Sequence, residues 1–319
     1  MEICLHLGAH RTGSTGLQVL LNSQRAELRR AGVAYWGPDK TRNGLLAGLI
    51  KDPSQVNGPG KALGERSCGR LRMEFARLEV EHRQQLVISE ENLIGTMAQN
   101  LSAVRLYGQA ADRLARVRPA FEGRKLRIGL AIRAYDLHWA SQLAFRAEMG
   151  ASLPSPAKLD RLVTQPRRWC DLIADIKTIF PNASIVVWPF EGWVSNPLPL
   201  VSGILGREIP LGALEKPHKS NASATATQLA SIAAERGDID TALRLASAGQ
   251  GARYMPFNAD QLLKLKQDYR ADISWLKANA TGSAGMTYLD PTGGTFGEAD
   301  MTEGSHHERR QTKSVGSTR

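Results

Sequence analysis

Leu5-His6-Leu7-Gly8-Ala9-His10-Arg11-Thr12-Gly13-Ser14-Thr15-Gly16-Leu17-Gln18 is the stretch on which the reading of this chain turns. Ile3 to Leu7 is a short apolar run with the character of a strand, and Gly8 to Gly13 reads as a loop. Thr15 to Arg30 has helical spacing through Leu17, Leu20, Leu21 and Leu28, with Gly32 as a stop. Gly8 and Gly13 let the backbone turn sharply and come close to an anion. The N–H groups of Thr12 to Thr15 then point inward at the first turn of the helix, which carries unpaired donors and partial positive charge. Ser14 and Thr15 add hydroxyls, and Arg11 adds a permanently charged, fork-shaped cation. The plain alternative is a strand–turn–helix junction capped by Ser14. So many anion-binding devices in one short stretch weigh against it.

The same alternation continues outward. Leu86 to Ser89, Leu126 to Ile132 and Ser184 to Trp188 read as strands, the second of them fully buried in type. Helical patterns cover Arg66 to Glu81, Leu101 to Val117, Tyr135 to Glu148, Leu159 to Phe180, Ala222 to Arg236 and Ala259 to Ala278. Trp36 to Lys61 is rich in Gly, Pro, Asn and Asp and reads as irregular loop with one short helix at most. The expectation is an α/β fold of P-loop type, three-layer α/β/α around a central, mostly parallel sheet. From Thr281 the chain turns Gly-, Thr- and Ser-rich and then basic, so a domain at 1–280 and a disordered basic tail at 281–319 are expected. His306 and His307 in that tail read as solvated rather than as metal ligands.

Formal net charge is +10, which favours anionic partners without choosing among them. Cys4, Cys68 and Cys170 are sparse and odd in number, show no metal-ligand spacing and read as thiols of a reducing cytosol, so no metal is expected. Met1 to Leu7 is too short for a signal peptide, and no run of about 18 apolar residues occurs to span a membrane.

Gly8-x-x-x-x-Gly13-Ser14-Thr15 is similar to the nucleoside-triphosphate P-loop, but position 14 is serine where that motif has its phosphate-binding lysine. The cation sits instead at Arg11. Arg11-Thr12-Gly13-Ser14-Thr15 thereby resembles the 5′-phosphosulfate loop of the sulfotransferase superfamily, typically Lys-[Thr/Ser]-Gly-[Thr/Ser]-[Thr/Ser], with arginine in place of lysine. That superfamily takes its sulfuryl group from PAPS (3′-phosphoadenosine-5′-phosphosulfate). It holds the 3′-phosphate with an arginine at a strand end and a serine about eight residues on. Arg133 follows Leu130-Ala131-Ile132, and Ser141 lies two turns into the next helix. Leu86-Val87-Ile88-Ser89-Glu90-Glu91-Asn92-Leu93 looks like the strand-plus-Ser-x-Glu-x-Leu segment of bacterial sulfotransferase-like proteins, with Glu91 in the register of the family's Glu and Glu90 open as the alternative. Both acids also suit simple charging of a helix start. Lys219-Ser220-Asn221-Ala222-Ser223 resembles a basic-Asn-Ser segment, which puts Lys219 near the 3′-phosphate. Ile185 to Glu191 resembles a later family strand, and Trp188 and Trp193 there suit core packing better than a sugar platform.

The resemblance implies transfer of a sulfuryl group from PAPS to an acceptor hydroxyl, with a carbohydrate as the family-based acceptor class and PAP (3′,5′-adenosine bisphosphate) as product. It implies a nucleotide partner rather than nucleic acid, and no obligatory metal. Arg11 and the loop would serve the 5′-phosphosulfate, Arg133 and Ser141 the 3′-phosphate, and Glu91 or Glu90 the acceptor proton. The rivals are a P-loop-type nucleotide kinase, against which the serine at 14 argues, and a non-catalytic nucleotide- or anion-binding member of the fold.

Overall fold

The computed structural model describes residues 1–193, 197–212, 222–247, 249, 251–280 and 285–291, and the backbone of 295–296. Seven strands, β1 (Glu2–His6), β2 (Val33–Trp36), β3 (Gln85–Ser89), β4 (Leu126–Ile132), β5 (Ser184–Pro189), β6 (Met286–Leu289) and β7 (Thr295–Phe296), form one sheet in the order β2-β3-β1-β4-β5-β6-β7. The first six are parallel and β7 runs antiparallel to β6.

The strands are apolar on both faces because helices cover both, as a parallel sheet requires. Along β1, Ile3 and Leu5 join a core with the helices Gly58–Val80, Ala110–Val117, Tyr135–Glu148 and Trp169–Ile179. Cys4, between them, points the other way, into a core with Leu17, Leu20 and Leu21 of Ser14–Ser23 and Val201, Ile204 and Leu205 of Leu198–Leu205. The fold is therefore α/β with three layers. The chain leaves β1 first toward β3 and β2, then returns past it to β4, β5 and β6. The carboxyl ends of β1, β3 and β4 flank this reversal, which is where open α/β sheets bind ligands.

Several elements depart from the sequence expectation. The helix from Thr15 to Arg30 is two, Ser14–Ser23 and Arg25–Arg30, broken at Gln24. Leu159 to Phe180 is likewise Pro156–Thr164 and Trp169–Ile179, because Pro166 biases Gln165 out of the helical region. Leu101 to Val117 becomes Met97–Ala103 and Ala110–Val117. The domain boundary at 280 also needs correction. β6 lies beyond it, pairs with β5 and buries Met286, Tyr288 and Leu289, so four apolar-enough residues in a Gly- and Ser-rich context suffice for a covered strand. β7 also lies beyond that boundary; residues 281–284, 292–294 and 297–319 of the expected tail, with His306 and His307, lie outside the described residues. Among the described residues no helix is long and apolar enough to cross a membrane.

Candidate functional site

The loop after β1 is closed by left-handed backbone at Gly8 (φ 46°), Arg11 (φ 64°) and Gly13 (φ 81°). At Gly8 a side chain would collide with Ser14 Oγ, and at Gly13 a Cβ would lie 2.8 Å from the Phe190 ring. Both positions therefore need glycine for space as well as for φ. Thr12 Oγ1 donates to Ala9 O and tightens the turn. Gly13 occupies the N-cap of Ser14–Ser23 with no side-chain cap hydrogen bond, so the positive end of that helix opens at the loop. Ser14 is 7% exposed, and among the described residues its Oγ has no hydrogen-bond partner. A buried hydroxyl without a partner is costly, and over a glycine cradle at a helix N-terminus an anion is the natural one.

Arg133 extends from the end of β4 to this loop. Its Nη1 donates to Arg11 O at 2.7 Å, its guanidinium lies 4.7 Å from the centre of the Phe190 ring, and among the described residues its buried Nε has no partner. Burial pulls its pKa down to about 10, Glu191 opposes this, and Arg253 and Arg11 add to it. A cation held in such surroundings is stabilised by an incoming anion. Arg11 was expected on the 5′-phosphosulfate. The left-handed turn at Arg11 sends its side chain elsewhere: Nε donates to Ser141 Oγ at 2.8 Å, Nη2 to Ser223 Oγ at 3.1 Å, and the guanidinium faces Phe145. Ser141 and Ser223 hydroxyls are 2.6 Å apart. Arg11, Arg133 and Ser141 are thus together, joined by Ser223 from the segment that also holds Lys219. Lys219 itself lies outside the described residues.

The two carboxylates after β3 have different surroundings. Glu90 is fully buried and accepts from Thr41 Oγ1, from Nε and Nη2 of Arg42, and from the backbone N and Nδ2 of Asn92. It is occupied as a structural clamp between the Thr41–Leu45 segment and the β3 turn. Glu91 instead reaches the loop's helix: Gln18 Nε2 donates to its Oε2 at 3.1 Å, and Arg42 Nη2 to its Oε1 at 3.0 Å. Burial raises the Glu91 pKa, but His10 and Arg42 pull it below the usual carboxylate value, so it stays ionised. His10 is buried on Tyr107 and Asn92, and burial lowers its pKa. The Arg113 guanidinium holds the turn by donating to Asn92 O and Gln99 Oε1.

His6, Gln18, Arg42, Ser89 and Ser223 also line this region; Ser89 and Ser223 stood within motifs read from the sequence but were given no role, and the other three were not singled out. Gln18 had a signal: it lies four residues after Ser14, on the same helical face. Arg42 had none, because Thr41–Leu45 is a π-type turn interrupted by non-helical Asn43 and Gly44. Trp188 is core, stacked 5.7 Å from His6. The arrangement can hold two separate anionic groups, one in the loop and one among Arg11, Arg133, Ser141 and Ser223, with an ionised carboxylate nearby. Comparison with family models, with curated proteins and with solved structures finds no match for this chain.

Proposed function

We propose that this chain transfers a sulfuryl group from PAPS to an acceptor hydroxyl. The observation that carries the reading is that the glycine loop abuts a second cationic cradle, with Arg11 contributing its backbone to the first and its side chain to the second. A donor with a 5′-phosphosulfate and a separate 3′-phosphate suits two such sites. A nucleoside triphosphate, whose charges are contiguous, suits one. In this reading Ser14 Oγ and the first-turn N–H groups hold the 5′-phosphosulfate, and Arg133, Arg11, Ser141 and Ser223 hold the 3′-phosphate.

The acceptor oxygen attacks sulfur as the bond from sulfur to the bridging phosphate oxygen breaks. The electron pair leaves with PAP, and the hydroxyl proton passes to Glu91. The fixed donors of the loop then face charge that grows on the leaving phosphate, the kind of contact that contributes most to rate. The low Glu91 pKa keeps the carboxylate ready to accept, at the expense of basicity. Incubation with radiolabelled PAPS and a panel of hydroxyl-bearing acceptors tests the reading. Labelled sulfate ester with stoichiometric PAP is the expected product, and failure to bind PAP at all would remove the proposal.

A further inference from the structure

We infer that His6 is a further anion-binding residue of the Gly8–Gly13 loop, held as the neutral Nε2–H tautomer by a hydrogen-bond chain that begins at Glu91 and runs through Gln18 and Ser89. The inference rests on the loop's being an anion site and deepens the reading above, but needs nothing of sulfur chemistry.

The proton positions follow from the partners. Gln18 Nε2 is 3.1 Å from Glu91 Oε2 and 3.0 Å from Ser89 Oγ. An ionised carboxylate only accepts, so the Gln18 group facing it must be the amide NH₂ rather than the carbonyl. One amide proton goes to Glu91 and the other to Ser89. Ser89 is fully buried, and among the described residues its hydroxyl bonds one other group, His6 Nδ1 at 2.8 Å. If Nδ1 also donated, Ser89 Oγ would accept twice and its own proton would have no acceptor, a buried unsatisfied donor. Ser89 therefore donates to Nδ1. The ring proton is left on Nε2.

That edge of the ring faces the loop. A Cβ built on Gly8 would lie 3.1 Å from both Cε1 and Nε2 of His6, and it would collide with Ser14 Oγ as well. His6 and Ser14 thus both crowd the space a Gly8 side chain would take, and Ser14 Oγ is the hydroxyl described above. Stacking on Trp188 fixes the ring plane. Burial also favours the neutral ring, holding the pKa at about 4 although Glu91 pulls upward.

The chain has a consequence for the reaction. Once Glu91 takes up a proton, its carboxyl can donate to Gln18 if the amide turns its oxygen toward Glu91, and the amide is no longer fixed in one orientation. Ser89 and His6 are then free to reverse, which withdraws the Nε2–H from the loop. Anion binding in the loop and the charge on Glu91 are coupled, and the coupling is reciprocal.

Nitrogen-15 NMR of the His6 ring in the full chain at neutral pH reads the tautomer directly, before any ligand is added. We expect one proton, on Nε2, and a downfield move of that proton on saturation with PAP or inorganic sulfate. In Gln18→Met, which keeps the chain length but removes the donor, the Nδ1–H form should appear. His6→Phe, which preserves the ring, should weaken sulfate or PAP binding about tenfold or more, as for loss of one bond to a charged group. A ring protonated at Nδ1 or at both nitrogens overturns the proposal, and so does an Nε2–H that ignores both anions. If sulfate moves the signal and PAP does not bind, this inference stands and the sulfuryl-transfer reading falls.

Discussion

Glu90→Gln should damage the fold and spare the chemistry, and Glu91→Gln should do the reverse. Glu90 Oε1 accepts from Arg42 Nε and Nη2 and from both Asn92 donors, while Oε2 accepts from Thr41 and Arg42 Nε. A glutamine does best by placing its oxygen at the Oε1 site and its NH₂ at the other. Thr41 can then rotate its hydroxyl to accept, but an N–H faces Arg42 Nε–H and the buried negative charge is gone. Breaking a buried ion pair costs about 3–5 kcal/mol; Arg42 is 42% exposed and recovers some hydration, so about 2–4 kcal/mol is expected here. At about 2.1 cal/mol/K per residue over 319 residues, each kcal/mol moves Tm by roughly 1.5 °C, so Tm should fall on the order of 3–6 °C. In Glu91→Gln the amide oxygen keeps one of two partners, and the cost should be about 1 kcal/mol. Transfer should drop about 10²-fold or more, since the amide cannot take the proton. Urea or thermal unfolding of both variants, with turnover at saturating PAPS, makes the comparison. A Glu90→Gln protein as stable as the parent, or an active Glu91→Gln, would refute the division of labour.

PAP should stabilise the protein by about 2.7 kcal/mol at one hundred times Kd, and ATP much less; equal thermal shifts would sink the two-site reading. Ser141→Ala should weaken PAP binding about tenfold and leave the affinity for ADP, which lacks a 3′-phosphate, unchanged by calorimetry. A chain ended at residue 280 should be destabilised or insoluble because it lacks β6, whereas one ended at 296 should unfold like the parent. Stability should fall below pH 6.5. The folded pKa of His6 is depressed to about 4, and those of His10 and His138 are also below normal, so the unfolded chain binds protons first. Each such histidine contributes up to about 1.4 kcal/mol per pH unit on the way down, and a flat profile between pH 6.5 and 5 would contradict their burial as neutral rings.

The parts of the fold carried by local pattern were legible. Leu126–Ile132 and Tyr135–Glu148 have the bounds expected, because a buried strand and an amphipathic helix announce themselves by periodicity. β2 and β6 were missed since each is four residues long and surrounded by turn-forming residues; pairing with a neighbour decides them, and that is not local. In the site, adjacency alone did not separate Glu90 from Glu91: Glu90 is the extended N-cap and Glu91 opens the turn Glu91–Leu93, and Arg42 Nη2 donates to both. The direction of Arg11 was not legible, because a positive φ at a non-glycine residue leaves no reliable mark in sequence.

The central position of β1 has a consequence for biosynthesis. Its partners are β3 and β4, with Ile3 opposite Leu86 and Leu126, about 80 and about 120 residues further along the chain. β1 leaves the ribosome before either partner and must therefore wait for the middle of the sheet to be made around it. At about 5–20 residues per second β3 follows after roughly 4–17 s and β4 after roughly 6–25 s, and until then Ile3-Cys4-Leu5 lacks one or both neighbours. Non-local pairing of this kind slows folding, and an apolar strand left without neighbours is prone to aggregate. The loop that reads as the anion site hangs from that strand, so it acquires its shape only after the last residues of β4 have emerged.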